Sequence, residues 1–289
     1  MAHDLFEDGE NRELLSQAEE RLHVPLLRLM REGPEAELQA TENAQPAILL
    51  HSLALLQRLQ SRGVAPDAIA GHSLGEFTGL VAAGALQPVD ALSAVRARGQ
   101  AMAAAAPSGT GMMAVLGLDD AIVDHVCAEV DGVVPANYNA PGQVVISGRD
   151  TALAAVTPML QRAGARRVVR LPVSAAFHSP LMAEAAVQFS ADWNKIPLQG
   201  LTVPQVFNAD AQVHAEPDDI RPLMVGQLRG PVRWTQSVRK LQDLGVDNFV
   251  EIGPGRTLTG LVKKIAPGAL LHNIDDLSSM NAFLETAHV

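Results

Sequence analysis

Gly71-His72-Ser73-Leu74-Gly75 sets a serine between two glycines, each one residue removed from it. This G-x-S-x-G spacing falls between a strand predicted over residues 67–70 and a helix predicted over 76–85, the context in which the motif forms a nucleophile elbow. Glycines at the flanks permit a strained turn, and the helix that follows aims its amide dipoles near the serine hydroxyl. The competing reading is a plain strand-to-helix turn. A serine hydroxyl is a weak nucleophile near neutral pH, so the chemistry needs a base within reach. The chain has nine histidines. His3, His272 and His288 lie towards the chain ends, His23, His51 and His125 fall in predicted helices, His214 sits in a polar loop, and His72 adjoins Ser73 in a way that points it elsewhere. His178 follows a strand end, Val173-Ser174-Ala175-Ala176-Phe177, and precedes a helix opened by Ser179-Pro180. Loops after strands are where open sheets assemble their sites, which singles it out, although spacing alone leaves the choice of base open.

The elements needed to position these residues can be traced from hydrophobic period. Helices are predicted over 11–22 and 26–31, separated by Pro25, then over 45–62, with Asn43 as its cap, Pro46 in its first turn and Gly63 at its end. The elbow and its helix follow, then an Ala-rich helix over 89–106. From 111 to 173 the elements shorten and run strand, helix, strand, strand, helix, strand (112–118, 121–130, 133–138, 143–147, 151–163, 167–172), which is the ferredoxin-like order. A longer α/β rhythm then returns: helix 180–193, strand 202–207, helices around 220–228 and 232–244, strand 248–252 and helix 258–265. The pattern predicts an α/β protein: a parallel-sheet large domain (1–110 and 174–289) interrupted by a ferredoxin-like small domain (111–173).

Composition bounds the function. With 289 residues, 47% hydrophobic and 19% charged, the chain can bury a sizeable core. A net charge of −10 disfavours non-specific binding to nucleic acid or anionic membrane. No run approaches the roughly 18 apolar residues of a spanning helix, and the single cysteine, Cys127, excludes an intrachain disulfide and fits a reducing, cytoplasmic setting. Cys127 itself reads as a buried apolar residue on a helix.

Several motifs in register carry more than the elbow alone. Gly71-His72-Ser73-Leu74-Gly75-Glu76, Ala175-Ala176-Phe177-His178-Ser179-Pro180-Leu181-Met182, Asn137-Tyr138-Asn139-Ala140-Pro141-Gly142-Gln143 and Glu251-Ile252-Gly253-Pro254-Gly255 together resemble the malonyl-CoA:acyl carrier protein transacylase family. The resemblance runs from about residue 4 to about residue 265. It implies an α/β-hydrolase-like large domain with the ferredoxin-like insert closing over the site, Ser73 as nucleophile and His178 as general base. It further implies that Arg98, in Arg96-Ala97-Arg98-Gly99, binds the free carboxylate of malonate and that Gln227 lines the site. A guanidinium fork suits that carboxylate, and left unpaired it would reject acetyl.

The resemblance also implies a dyad rather than a triad, with the histidine oriented by a main-chain carbonyl, and an oxyanion held by the Leu74 amide. The reaction it implies is ping-pong transfer of malonyl from malonyl-CoA to the phosphopantetheine thiol of an acyl carrier protein, with no further cofactor and with the enzyme as a monomer. Leu74 and Phe177 lean the acyl choice towards malonyl over methylmalonyl. Residues 137–142, Asn137 foremost, form either a turn or a rim of the site. Two basic clusters, Arg162, Arg166, Arg167 and Arg170, and Lys263 with Lys264, are either a docking patch for the acidic carrier or solvated faces. The family opens with a buried strand and a Gly-Gln-Gly-Ser-Gln loop that supplies a second oxyanion donor; Met1-Ala2-His3-Asp4-Leu5 aligns beyond it, so a shortened start is expected. Neighbouring readings are a transferase serving polyketide synthesis, the malonyl-transfer subunit of a malonate decarboxylase, a serine esterase or thioesterase, and a weakly active binding module.

Overall fold

The structure, a computed structural model, describes residues 3–7, 9–173 and 175–287; Met1, Ala2, Ser174 and His288, which figure in the sequence reading, lie outside them. The described strands are β1 (Ile69–Ala70), β2 (Thr110–Leu116), β3 (Val133–Ala140), β4 (Gln143–Arg149), β5 (Arg167–Arg170), β6 (Gln205–Val206), β7 (Val213–His214), β8 (Asn248–Ile252) and β9 (Leu270–Ile274). They form three sheets, in the orders β1-β6-β7, β3-β4-β2-β5 and β8-β9. β1 pairs with β6 in parallel, as β8 does with β9, whereas the four-stranded sheet is antiparallel throughout. The chain is thus an α/β protein.

In the four-stranded sheet the chain order is strand, helix Asp120–Ala128, two strands, helix Asp150–Arg162, strand. Both helices press an apolar stripe on one face of the sheet: Val123, Val126, Leu153, Val156 and Leu160 close over Val115, Val144 and Ile146. Cys127 is buried in that same cluster, the packing role its sequence context suggested.

A larger core lies among helices Thr41–Ser61, Pro88–Ala104 and Ala183–Trp193. Aromatic residues are only 3% of the chain, but three of them meet here: Phe77, Phe189 and Trp193 have ring centroids 5.8 to 6.1 Å apart. Their large buried surface anchors the helix that follows the elbow. Helices Pro88–Ala104 and Thr41–Ser61 can cross closely because residue 99 is glycine. A Cβ there would sit 2.8 Å from the Glu42 Cα.

Helix Thr41–Ser61 starts four residues earlier than predicted, so Asn43 is inside it and Pro46 lies beyond the first turn. Proline has no N–H to offer the carbonyl four residues back. Arg96 takes that place: its guanidinium donates to the Glu42 carbonyl at 2.5 Å and to Asn43 Oδ1 at 2.8 Å. Residues 202–207 shrink to the short β6; β7 and β9, at two and five residues, are too short to show a clear period, and helix Leu277–Ala287 lies outside the sequence expectation. No helix among the described residues is long and apolar enough to cross a membrane.

Candidate active site

β1 and β6 run side by side, with Ala70 paired to Val206, and their carboxyl ends deliver two loops to one place. The first is the elbow. Ser73 has φ 51°, in the left-handed region that costs a non-glycine residue about 1–3 kcal/mol and persists only where the surroundings enforce it. Gly71 makes the turn possible, since a Cβ there would fall 2.0 Å from the Gly75 carbonyl carbon. Gly75 is under no such constraint: a Cβ there meets nothing within 4 Å. The second loop carries Asn208, whose Oδ1 accepts the Ser73 N–H at 2.6 Å while its Nδ2 donates to the Gly71 carbonyl at 2.7 Å. One buried amide therefore clips the strained turn shut.

His178 has φ 55°, so both residues of the pair are held in the same strained conformation. Its Nε2 lies 2.8 Å from Ser73 Oγ, and its Nδ1 lies 2.8 Å from the Gln227 main-chain carbonyl. A carbonyl can only accept, so Nδ1 carries the proton and Nε2 presents its lone pair to the serine. No carboxylate bonds this imidazole among the described residues. Burial, and after it the charge of Arg98, pushes the His178 pKa down to about 3.

Arg98, 1% exposed, projects from helix Pro88–Ala104 into the same space. Its Nη1 donates to Gln45 Oε1 at 2.6 Å, and its Nη2 donates to Gln227 Oε1 at 2.8 Å and to Ser73 Oγ at 2.9 Å. Gln227 is fully buried at the start of a 3-10 turn, and its Nε2 donates to the Ser73 carbonyl at 3.0 Å and to Glu76 Oε2. Glu76 Oε1 accepts the Asn208 N–H at 2.5 Å. Burial pushes the Glu76 carboxyl up to about 8 against the pull of these donors and of Arg98. Both of its oxygens already accept N–H groups, which is the arrangement an ionised carboxylate completes.

Leu74, expected to supply an oxyanion donor, precedes helix Gly75–Ala82. The amides of Gly75, Glu76 and Phe77 bond back into the turn. That of Leu74 has no partner among the described residues, so it is available. Phe177 packs against both the large core and the cluster of Met112, Ala136 and Val145, bridging the four-stranded sheet and the helical layer.

Asn137 is buried within β3 rather than in a turn, with a backbone bridge to Val232, and makes no side-chain hydrogen bond among the described residues. Asn139 is the residue of that motif that reaches the elbow: its Oδ1 lies 2.9 Å from His72 Nε2. In the basic clusters, Arg170 bonds Asp150 at 2.7 Å and Lys264 bonds Gln143 at 2.9 Å.

Sequence reasoning passed over Gln45, Asn208 and the side chain of Glu76. Glu76 stood in the quoted elbow motif without a role of its own, and Asn208 had a visible signal as a polar residue just beyond a strand end. The described residues hold no group of three or more histidines, cysteines and acids that could bind a metal ion.

Residues 1–269 match the family of the acyl transferase domain. The chain is 42% identical over 291 residues to malonyl CoA-acyl carrier protein transacylase of Staphylococcus aureus (strain MW2), covering 99% of this chain and 94% of that one. It is 41% identical to the protein of that name from Escherichia coli (strain K12), over 94% of this chain and 90% of that one. Among solved structures, an acyl-carrier-protein S-malonyltransferase from Burkholderia pseudomallei superposes with a TM-score of 0.94 at 38% identity, covering 98% of this chain and 94% of that one. A malonyl-transacylase in complex with its type II PKS acyl-carrier protein matches with the same score, identity and coverage.

Proposed function

This chain belongs to the acyl transferase family, and from that premise we propose how its residues carry malonyl from malonyl-CoA to an acyl carrier protein. The observation that carries the reading is the convergence on Ser73 Oγ of a neutral imidazole at 2.8 Å and a buried guanidinium at 2.9 Å. The imidazole suits acyl transfer in general. The guanidinium suits an acyl group that ends in a carboxylate.

Ser73 Oγ attacks the thioester carbonyl of malonyl-CoA while His178 Nε2 takes its proton. The imidazolium that forms stays bonded to the Gln227 carbonyl through Nδ1. The Leu74 amide, at the positive end of its helix, faces the developing oxyanion. The carbon–sulfur bond breaks and His178 returns the proton to the departing thiolate, leaving a malonyl ester on Ser73. The carrier's phosphopantetheine thiol then gives its proton to His178 and attacks the ester, and the carbon–oxygen bond breaks with that proton returning to Ser73. Arg98 pairs with the distal carboxylate throughout; in doing so it cancels a charge that depresses His178, so malonyl binding makes the base stronger at the moment it is needed.

Labelled malonyl-CoA tests this directly. Label should reach Ser73 and pass to added holo acyl carrier protein, and Ser73→Ala should take none. Free malonate without transfer would mark a hydrolase instead, and label persisting in Ser73→Ala would place the nucleophile elsewhere.

A further inference from the structure

Glu76 lies one residue past the elbow motif, fully enclosed, and touches neither Ser73 Oγ nor His178. Its carboxylate nonetheless ends a hydrogen-bonded relay with a defined polarity. Arg98 can only donate, so the amide oxygen of Gln227 must face it, which turns the Gln227 NH2 towards Glu76 and the Ser73 carbonyl. The far end must then be an acceptor. Glu76 Oε2 is that acceptor, while Oε1 takes the Asn208 N–H.

Glu76 and Arg98 are both buried at this site, yet the two form no ion pair within 4 Å. A direct bridge would occupy the guanidinium fork. With Gln227 interposed, the Glu76 carboxyl stays near without taking the fork, and Arg98 remains turned towards Ser73.

The geometry points to Glu76 as the positioning residue for acyl selection: through Gln227 it sets the orientation of Arg98 at the nucleophile. This rests on the reading of Ser73 and Arg98 given above. A glutamine at 76 shows why the acceptor matters. Its oxygen can still receive the Asn208 N–H and leave the elbow clip intact. Its NH2 then confronts the Gln227 NH2. If Gln227 rotates to relieve that clash, it turns its NH2 on Arg98 and its oxygen on the Ser73 carbonyl, so no arrangement of two neutral amides completes the relay.

The test compares Glu76→Gln with the unsubstituted protein in three measurements. Malonyl-CoA labelling of Ser73 should slow at least about tenfold, within the range for coupling in one hydrogen-bond network. Labelling by a fluorophosphonate, which carries no carboxylate for Arg98, should stay within about twofold. The Gln227 side-chain amide resonance of glutamine-labelled protein should move upfield as its carboxylate partner is lost. Equal slowing of both labels would reduce Glu76 to a general structural residue, and unchanged malonyl labelling or an unmoved Gln227 resonance would overturn the proposal. If the unsubstituted protein takes fluorophosphonate but no malonyl label, the reaction assignment fails separately. The Gln227 resonance, with the position of Arg98 in a Glu76→Gln crystal, then decides the role of Glu76.

Discussion

Arg98 Nη2 lies 2.9 Å from Ser73 Oγ, near enough to donate a hydrogen bond to the nucleophile itself. In the proposed reaction, a cation so close to the ester position would hold the far carboxylate of a short diacid, and an uncharged acyl group would leave it unpaired. Its cost is felt by the base, because the same charge lies beside His178.

If Arg98 pairs with the substrate carboxylate as proposed, replacing it by alanine removes both that partner and the penalty for burying an unpaired guanidinium. Breaking a buried pair costs about 3 kcal/mol or more, roughly 10²-fold. The ratio of kcat/KM for malonyl-CoA to that for acetyl-CoA should fall by about that factor, with acetyl transfer retained or improved. An unchanged ratio would make Arg98 structural.

The pH profile follows from the depressed His178. Burial is the first cause and the Arg98 charge the second, so the acid limb of Ser73 acylation by a neutral ester should fall well below the ordinary histidine range. Removing a positive neighbour favours the protonated imidazole. In Arg98→Ala the limb should therefore move to higher pH, stopping short of about 6.5 because burial remains. A limb that stays put or moves down would contradict this assignment. His178→Ala should lower turnover by about 10²- to 10⁴-fold over the whole range.

Asn208→Ala should open the elbow. It strips the Ser73 N–H and the Gly71 carbonyl of partners at 2.6 and 2.7 Å, and each buried group left unsatisfied costs about 1–3 kcal/mol. Both malonyl and fluorophosphonate labelling should slow, unlike the split expected at Glu76. Asn208→Asp keeps the acceptor for Ser73 and should lose less. Equal rates for the alanine variant and the unsubstituted protein would show that the turn holds itself.

The two glycines of the elbow should respond differently. Gly71→Ala drives a Cβ into the Gly75 carbonyl and should lower the thermal midpoint by several degrees, at about 2–4 °C per kcal/mol for a chain of this size. Gly75→Ala has open space and should leave the midpoint within about 2 °C. Paired calorimetric scans decide it; equal shifts would mean that the turn relaxes around either side chain.

By itself the sequence determined what local pattern can carry. The alternation of elements over 111–173 was enough for the ferredoxin-like order, because strand and helix periods differ within a few residues. Ser73 was legible because its motif is contiguous and sits between a strand and a helix, and His178, Arg98 and Gln227 were named through family resemblance. Tertiary structure alone decided how they meet. Ser73 and His178 are 105 residues apart and Arg98 and Gln227 are 129, separations that no period or spacing encodes. The parallel pairing of β1 with β6 brought Asn208 under the elbow, and the glycine crossing at residue 99 brought Arg98 against Gln45. The polarity of the relay from Glu76 through Gln227 to Arg98 exists only once burial removes water, since an exposed amide or carboxylate would find its partners in solvent and specify nothing.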